Sequence, residues 1–382
     1  MNIGNSNNYK IFSNYPEVVS NNLIAKQVEE ARCWGKRGDV PHDIYNHQRA
    51  IELLVQNVNN WAKPEDVQLF LRFYEDLILQ DASRSRQHIY LTRLKLLSRL
   101  VPKPISQLEY DDIRKLVFNL KQACTSPATI VLYLETIRKF FLLTLKVPKE
   151  KLPIHDIRIH VPKHYTKLLL DEDDIMRLTN IAQNYRDKAY IQLQWETGGR
   201  VGEMMNCTVQ DVDFTNHLIR LDGKTGERTV PVLSSLPFLK MHITSRAMEP
   251  DQYLWSEING TTLHYDALRI QLSKIAKRAG INKPVNPHNF RHSRATYCAQ
   301  FMNEPLLKKY FGWSPQSTVP ARYIHLSGKD LQNSVLINNG FAPPKPIISK
   351  LAPKQCHCGE LNSYEEIKCI KCKNKLLIAP KI

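Results

Sequence analysis

One stretch limits the architecture more than any other. Residues 147–167 read VPKEKLPIHDIRIHVPKHYTK, with three prolines, five Lys or Arg and three His among two acids. Proline lacks a backbone N–H and fixes φ, so neither a continuous helix nor a central strand runs through such a segment. The chain is thereby cut into two blocks joined by an extended basic connector. That connector reads either as a plain linker or as a strap lying along a phosphate backbone.

On the N-terminal side the pattern is helical. VQLFLRFYEDLIL, HIYLTRLKLLSRLV and ATIVLYLETIRKFFLLTL repeat apolar residues at three- and four-residue spacing. ISQLEYDDIRKLVFNL adds a helix with acids near its start, where the helix dipole favours them. Residues 64–147 therefore read as a small four-helix domain. Residues 1–63 are an N-terminal extension of unassigned role, Asn-rich at first and then helical in NHQRAIELLVQNVNNWA.

Beyond the connector, residues 168–340 form a larger block. DEDDIMRLTNIAQ starts a helix with acidic capping. HLIRLDGKTGERTVPVL alternates around a glycine-bracketed turn, the mark of a β-hairpin. DALRIQLSKIAKRAG ends on a C-cap glycine, and PHNFRHSRATYCAQFM has a proline near its first turn. The expected fold is mostly α with a small β-sheet. A Pro- and Lys-rich linker, 341–355, leads to a terminal module over 356–376.

Charge narrows the partner. With 382 residues, a formal charge of +16 and a pI near 9.4, the chain favours a polyanion, because each Lys or Arg set against a phosphate releases a counterion. The start, MNIGNSNNYKIF, is polar, so no secretory leader is expected. The longest apolar run, near KFFLLTLKV, is too short to span a bilayer. The expectation is a cytoplasmic, nucleoid-associated protein with no membrane partner.

Cutting a phosphodiester without a metal needs guanidinium groups for the non-bridging oxygens, an in-line nucleophile and an acid for the leaving oxygen. The larger block offers these residue types. Arg200 follows two glycines in TGGRVGEM, where backbone can approach a ligand closely. Lys224 stands at the hairpin tip, able to reach outward as an acid. His288 and Arg291 are three apart, on one face of a helical first turn. Trp313 follows a glycine in YFGWSP, and Tyr323 comes ten residues later. Singly, each has an ordinary alternative as a salt bridge, a solvated turn lysine, a local helix pair or a core aromatic.

The succession TGGRVGE, GKTGERTVP, PHNFRHSRAT, FGW and ARYIHL resembles the tyrosine recombinase (phage-integrase) family. SPATIVLYLETIRKFF looks like the last helix of that family's core-binding domain, so the resemblance covers roughly residues 65–335. It implies a helical core-binding domain over 64–147 and a catalytic domain over 168–340. By resemblance, Tyr323 attacks the scissile phosphate to give a 3′-phosphotyrosyl link. Arg200 and Arg291 clamp the non-bridging oxygens, His288 assists as donor or acceptor, and Lys224 protonates the departing 5′ oxygen. Trp313 stands where many relatives have histidine, and packs the site. Glu203 and His292 match positions that support the site rather than act in it. The residue before Arg200 is glycine, where the family more often has an apolar one. The implied function is site-specific recombination of double-stranded DNA, with no cofactor or divalent metal for catalysis. The implied assembly is a homotetramer on paired sites, with a monomer off DNA. A type IB topoisomerase-like relaxing enzyme and a catalytically silent DNA binder are the alternatives.

The tail CHCGELNSYEEIKCIKCK sets Cys356 and Cys358, then Cys369 and Cys372, as C-x-C and C-x2-C pairs. Two such pairs suit a tetrahedral thiolate site for structural zinc, and metal would supply the folding energy that so short a segment lacks. It resembles a small zinc ribbon. Six lysines against three glutamates across 351–382 suit DNA contact, while contact between protomers is the other reading.

Overall fold

The computed structural model describes residues 43–123, 125–154, 156–161, 168–223, 226–257, 263–326, 339–341 and 349–376. The expectations on residues 1–42, on Lys224 and on residues 342–348 of the linker lie outside the described residues.

Short helices α1 (His47–Gln56) and α2 (Val58–Trp61) precede four longer ones: α3 (Pro64–Leu79), α4 (Arg84–Leu100), α5 (Tyr110–Gln122) and α6 (Pro127–Leu143). The starts follow from local chemistry. Pro64 and Pro127 occupy the first helical turn, where a missing N–H goes unnoticed. Glu109 and Asp112 form a reciprocal capping box on α5. The apolar faces meet in one core, where Phe140 takes the edges of Phe70 and Phe73 at 5.4 and 5.5 Å. Burying each such ring contributes roughly 1.5–3 kcal/mol. The fully buried carboxylate of Asp66 is satisfied by the backbone N–H groups of Ile105 and Ser106, at 2.5 and 3.0 Å. Helix α1 packs along α4, and Val58 and Trp61 enter this same core.

The second block is built around helix α8 (Tyr185–Thr197), buried without a break from Ala189 to Thr197. Around it lie α7 (Glu172–Ile181), α10 (Leu236–Ser245) and α12 (Pro287–Cys298). A helix covered on all sides carries no polar stripe, so its buried amides need partners. Gln192 Nε2 donates to Thr179 Oγ1 at 2.7 Å, and Gln194 Nε2 donates to the Gly199 carbonyl at 2.8 Å. The remaining elements are α9 (Val201–Met205), α11 (Tyr265–Arg278), α13 (Glu304–Phe311) and α14 (Val319–Leu326). Strands β1 (Val212–Asp213), β2 (Leu218–Leu221) and β3 (Arg228–Pro231) make an antiparallel sheet in that order, with Ile219 opposite Val230 and Leu221 opposite Arg228. The expected hairpin is there, and Gly226 N bonds Gly223 O at 2.9 Å to close its turn. The mostly helical class with one small sheet agrees with the sequence.

The terminal module holds β4 (Lys354–Gln355) paired with β5 (Leu361–Asn362). It does not hang free. Lys188 reaches Glu365 at 3.2 Å, Lys240 reaches Glu360 at 2.5 Å, and Ser349 Oγ donates to Glu172 at 2.6 Å. Leu351 is buried within the second block's core. Among the described residues, no helix is long and apolar enough to cross a membrane.

Candidate active site

Five turns and helix ends build the site. Helix α8 stops at Gly198, which takes φ 53°. A Cβ there would lie 2.5 Å from Phe311 Cε1, so glycine serves both the left-handed turn and the close approach. Thr197 Oγ1 accepts from Gly199 N at 3.2 Å and donates to Leu193 O at 2.7 Å. The TGGR turn is thus held from both sides, and the glycine before Arg200 leaves it well fixed.

Arg200 opens α9 and is pinned three ways. Its backbone N–H donates to Glu203 Oε2 at 2.9 Å, one guanidinium nitrogen donates to Glu203 Oε1 at 2.6 Å, and another donates to the Gly312 carbonyl at 3.0 Å. Arg291 comes from the first turn of α12, which Asn286 caps by accepting from Asn289 N at 3.0 Å. Its guanidinium donates to the Gly198 carbonyl at 2.9 Å and the Phe311 carbonyl at 2.6 Å. It also lies 5.3 Å from the Phe311 ring centre and 5.4 Å from that of Trp313.

A third arginine joins them. Arg228, at the start of β3, donates to Glu203 Oε2 at 2.9 Å and to the Tyr310 carbonyl. The carbonyls of Tyr310, Phe311 and Gly312 therefore receive Arg228, Arg291 and Arg200 in turn. These are the last carbonyls of α13, which lack intrahelical donors and carry the negative end of the helix dipole. Sequence reasoning gave Arg228 no role. The signal lay within the quoted GKTGERTVP word, but nothing in a hairpin's alternation shows that a strand arginine turns onto a helix end and a buried carboxylate.

Charge behaves accordingly. Burial alone would push the Glu203 carboxyl up, but the Arg228 charge and hydrogen bonds from Arg200 and Arg228 outweigh it and hold the group below its ordinary value. Burial, and then the positive charge of Arg200, lower Arg291 to about 9, which leaves it charged at neutral pH.

Tyr323 lies on α14, 3% exposed. Its ring stacks on Trp313 at 5.5 Å and 6°, and Trp313 stacks on Phe311 at 4.9 Å. Its hydroxyl meets His292 Nδ1 at 2.5 Å. His288, exposed at the start of α12, meets His292 through the Nε2 atoms at 2.8 Å. Burial pushes the Tyr323 phenol up, while Arg291 and Arg322 pull it down. The site brings together Arg200, Arg291, Trp313 and Tyr323 through shared contacts, with His288 joined to them through His292. Lys224 lies outside the described residues. Its neighbour Gly223 sits against Glu203, where a Cβ would come within 2.7 Å of Cγ, so the hairpin's neck abuts the site.

Residues 169–329 match the model of the phage integrase family. Those residues form a phage integrase domain. The chain is 25% identical over 291 residues to the tyrosine recombinase XerA of Saccharolobus solfataricus, spanning 72% of this chain and 94% of that one. It is 29% identical over 213 residues to XerC of Anoxybacillus flavithermus, spanning 51% and 70%. A lambda integrase dimer bound to a COC′ core site shares the fold at TM-score 0.56 and 14% identity, over 74% of this chain and 98% of that one. The Tn1549 transposon integrase in complex with transposon right end DNA does so at 0.55 and 16%, over 71% and 98%.

In the terminal module, the sulfurs of Cys356, Cys358, Cys369 and Cys372 all lie within 4.8 Å of one another. Cys356 and Cys372 are 3.5 Å apart and Cys358 and Cys369 3.6 Å. Four thiolates around one zinc at 2.3 Å stand about 3.8 Å apart, so the donor set fits. His357 is outside that group, with Nε2 on Asn374 at 3.1 Å.

Proposed function

We propose that this integrase-family chain is a site-specific DNA recombinase whose nucleophile is Tyr323. The carrying observation is a buried tyrosine that stacks on Trp313, whose ring in turn lies 5.4 Å from Arg291. Arg291 donates from its two terminal nitrogens to the Gly198 and Phe311 carbonyls, and Arg200 from its two to Glu203 and the Gly312 carbonyl, so both planes are fixed where a phosphate would be received. In the cutting step, Tyr323 Oη bonds to phosphorus, the bond to the 5′ oxygen breaks, and the phenolic proton leaves. Lys224 supplies a proton to the departing 5′ oxygen, and His288 assists. The phosphodiester's energy stays in the 3′-phosphotyrosyl link, so a 5′ hydroxyl can reseal the strand without ATP. Two exchanges on paired sites, within a DNA-assembled homotetramer, complete recombination in the nucleoid.

The net charge of +16 and the DNA-bound state of the two solved neighbours support a double-stranded DNA partner. Zinc held by the four terminal cysteines would supply folding energy to a module with almost no apolar core of its own. A silent binder would have no need of the buried arginine, tyrosine and histidine contacts.

The test uses a nicked duplex built on the sequence this protein enriches from a random pool. Wild-type protein should form an SDS-stable adduct, and Tyr323→Phe should form none while binding equally well. An adduct that persists in Tyr323→Phe would falsify the assignment. Relaxation of arbitrary supercoiled plasmid would instead favour the topoisomerase reading.

A further inference from the structure

We infer that His292, rather than His288, takes the proton from Tyr323 and passes it outward through His288. This inference rests on the reading that Tyr323 is the nucleophile. Three titratable groups stand in line. Tyr323 Oη is 2.5 Å from His292 Nδ1, and His292 Nε2 is 2.8 Å from His288 Nε2. The two histidines are four apart on α12, hence on one face, with ring centres 4.2 Å apart and planes at 86°.

Two tautomer arrangements satisfy the line, and the one ready for attack has the phenol as donor. The phenol donates to His292 Nδ1, so the neutral imidazole carries its proton on Nε2. That proton is donated to His288 Nε2, and His288 keeps its own on Nδ1. A buried phenol cannot release its proton straight to bulk water, and here burial also pushes it away from ionising. The acceptor in hand is His292. His288 is exposed, so a proton that reaches it can pass to water. It is suited to hand the proton on, not to hold it.

The step balances. As Oη bonds to phosphorus and the bond to the 5′ oxygen breaks, the phenolic proton moves to His292 Nδ1. The Nε2 proton of His292 moves to His288 Nε2, and His288 gives its Nδ1 proton to water. The 5′ oxygen is protonated separately, on the other side of phosphorus. Resealing reverses each transfer.

The experiment measures single-turnover adduct formation on the nicked duplex, with either oxygen or bridging 5′-sulfur as leaving atom. Sulfur needs no acid, so a defect that survives on sulfur belongs to the nucleophile's side. His292→Ala should slow adduct formation about 100-fold or more on both substrates, with DNA affinity within about threefold of wild type. His292→Asn keeps an acceptor near Nδ1 but cannot carry a proton, and should stay similarly slow. Thermal melting of each variant checks that it is folded. Near-wild-type rates in His292→Asn would reduce His292 to a positioning residue and overturn the inference. So would rescue of His292→Ala by the sulfur substrate, because the residue would then act on the leaving group. If wild type gives no adduct on either substrate, the nucleophile reading itself fails and takes this inference with it.

Discussion

Replacing Glu203 by alanine strikes the point where the arginines are tied together. The carboxylate is 2% exposed and accepts from Arg228 at 2.9 Å, from the Arg200 guanidinium at 2.6 Å and from the Arg200 backbone at 2.9 Å. Alanine leaves Arg228, whose side chain is 8% exposed, as a desolvated cation with one carbonyl partner. Removing one member of a buried pair costs about 3–5 kcal/mol. Arg200 is one-third exposed and adds little to that figure. At about 2–4 °C per kcal/mol for a domain of this size, Tm should fall by about 6–20 °C. The pH dependence has a definite sign. The folded Glu203 lies below its ordinary value, so the pair's stabilisation is complete above the usual carboxylate range and fades as pH falls through the folded value. Glu203→Gln should therefore differ from wild type most at neutral pH and converge with it in acid. Arg228→Met added to Glu203→Ala should recover part of the loss, because an apolar pair carries no stranded charge. With Arg228→Met alone completing the cycle, circular dichroism melts at neutral and acid pH read all five proteins. A Tm shift under about 2 °C for Glu203→Ala, or strict additivity in the double variant, would refute the reasoning.

The other predictions concern the tail and the helix end. The full chain should carry about one zinc per molecule by mass spectrometry of metals, and lose it in Cys369→Ser or Cys372→Ser; undiminished metal in both would reject the thiolate site. Chelation should also lower the melting temperature of the catalytic block, since the Lys188–Glu365 and Lys240–Glu360 contacts go with the folded ribbon; an unchanged melt would mean the docking contributes nothing. Gly312→Ala forces φ 59° on a residue with a side chain and sets a Cβ 2.9 Å from Arg228 Cδ. A loss of about 1–3 kcal/mol is expected, with slower adduct formation, and an unaltered melt would argue against the strain.

How much of this was legible depends on what each residue answers to. Arg200, His288, Arg291, Trp313 and Tyr323 stand in words whose order survives in a linear reading. Helix starts at Pro64, Asp171 and Pro287 were legible because capping and first-turn proline are local chemistry. Contacts between distant segments were not. His292 was read as support, yet its Nδ1 lies on the Tyr323 hydroxyl, thirty-one residues away in sequence. Arg228 meets α13 across eighty-two residues. The tail's basic excess suggested an outward partner. Two of its three glutamates, Glu360 and Glu365, instead pair with lysines of the catalytic block. Composition counts charges but does not say which of them are already paired.

The three carbonyls at the end of α13 account for why the KKYFGW stretch matters although it holds no nucleophile. A helix must leave its last carbonyls without intrahelical donors. Here they are used as a fixed template, taking guanidinium groups from a β-strand, a helix start and a glycine turn that are far apart in sequence. Gly312, in the left-handed region, ends the helix on the spot and turns its own carbonyl towards Arg200. Tyr310 ties the same helix to α8 by donating its hydroxyl to the Glu196 carbonyl at 2.5 Å. The arginine clamp is thereby referenced to the most buried helix of the block and not to a mobile surface loop. Charge repulsion among three neighbouring cations is offset by one carboxylate and three backbone carbonyls. The three guanidinium groups are thus held by contacts within the chain itself.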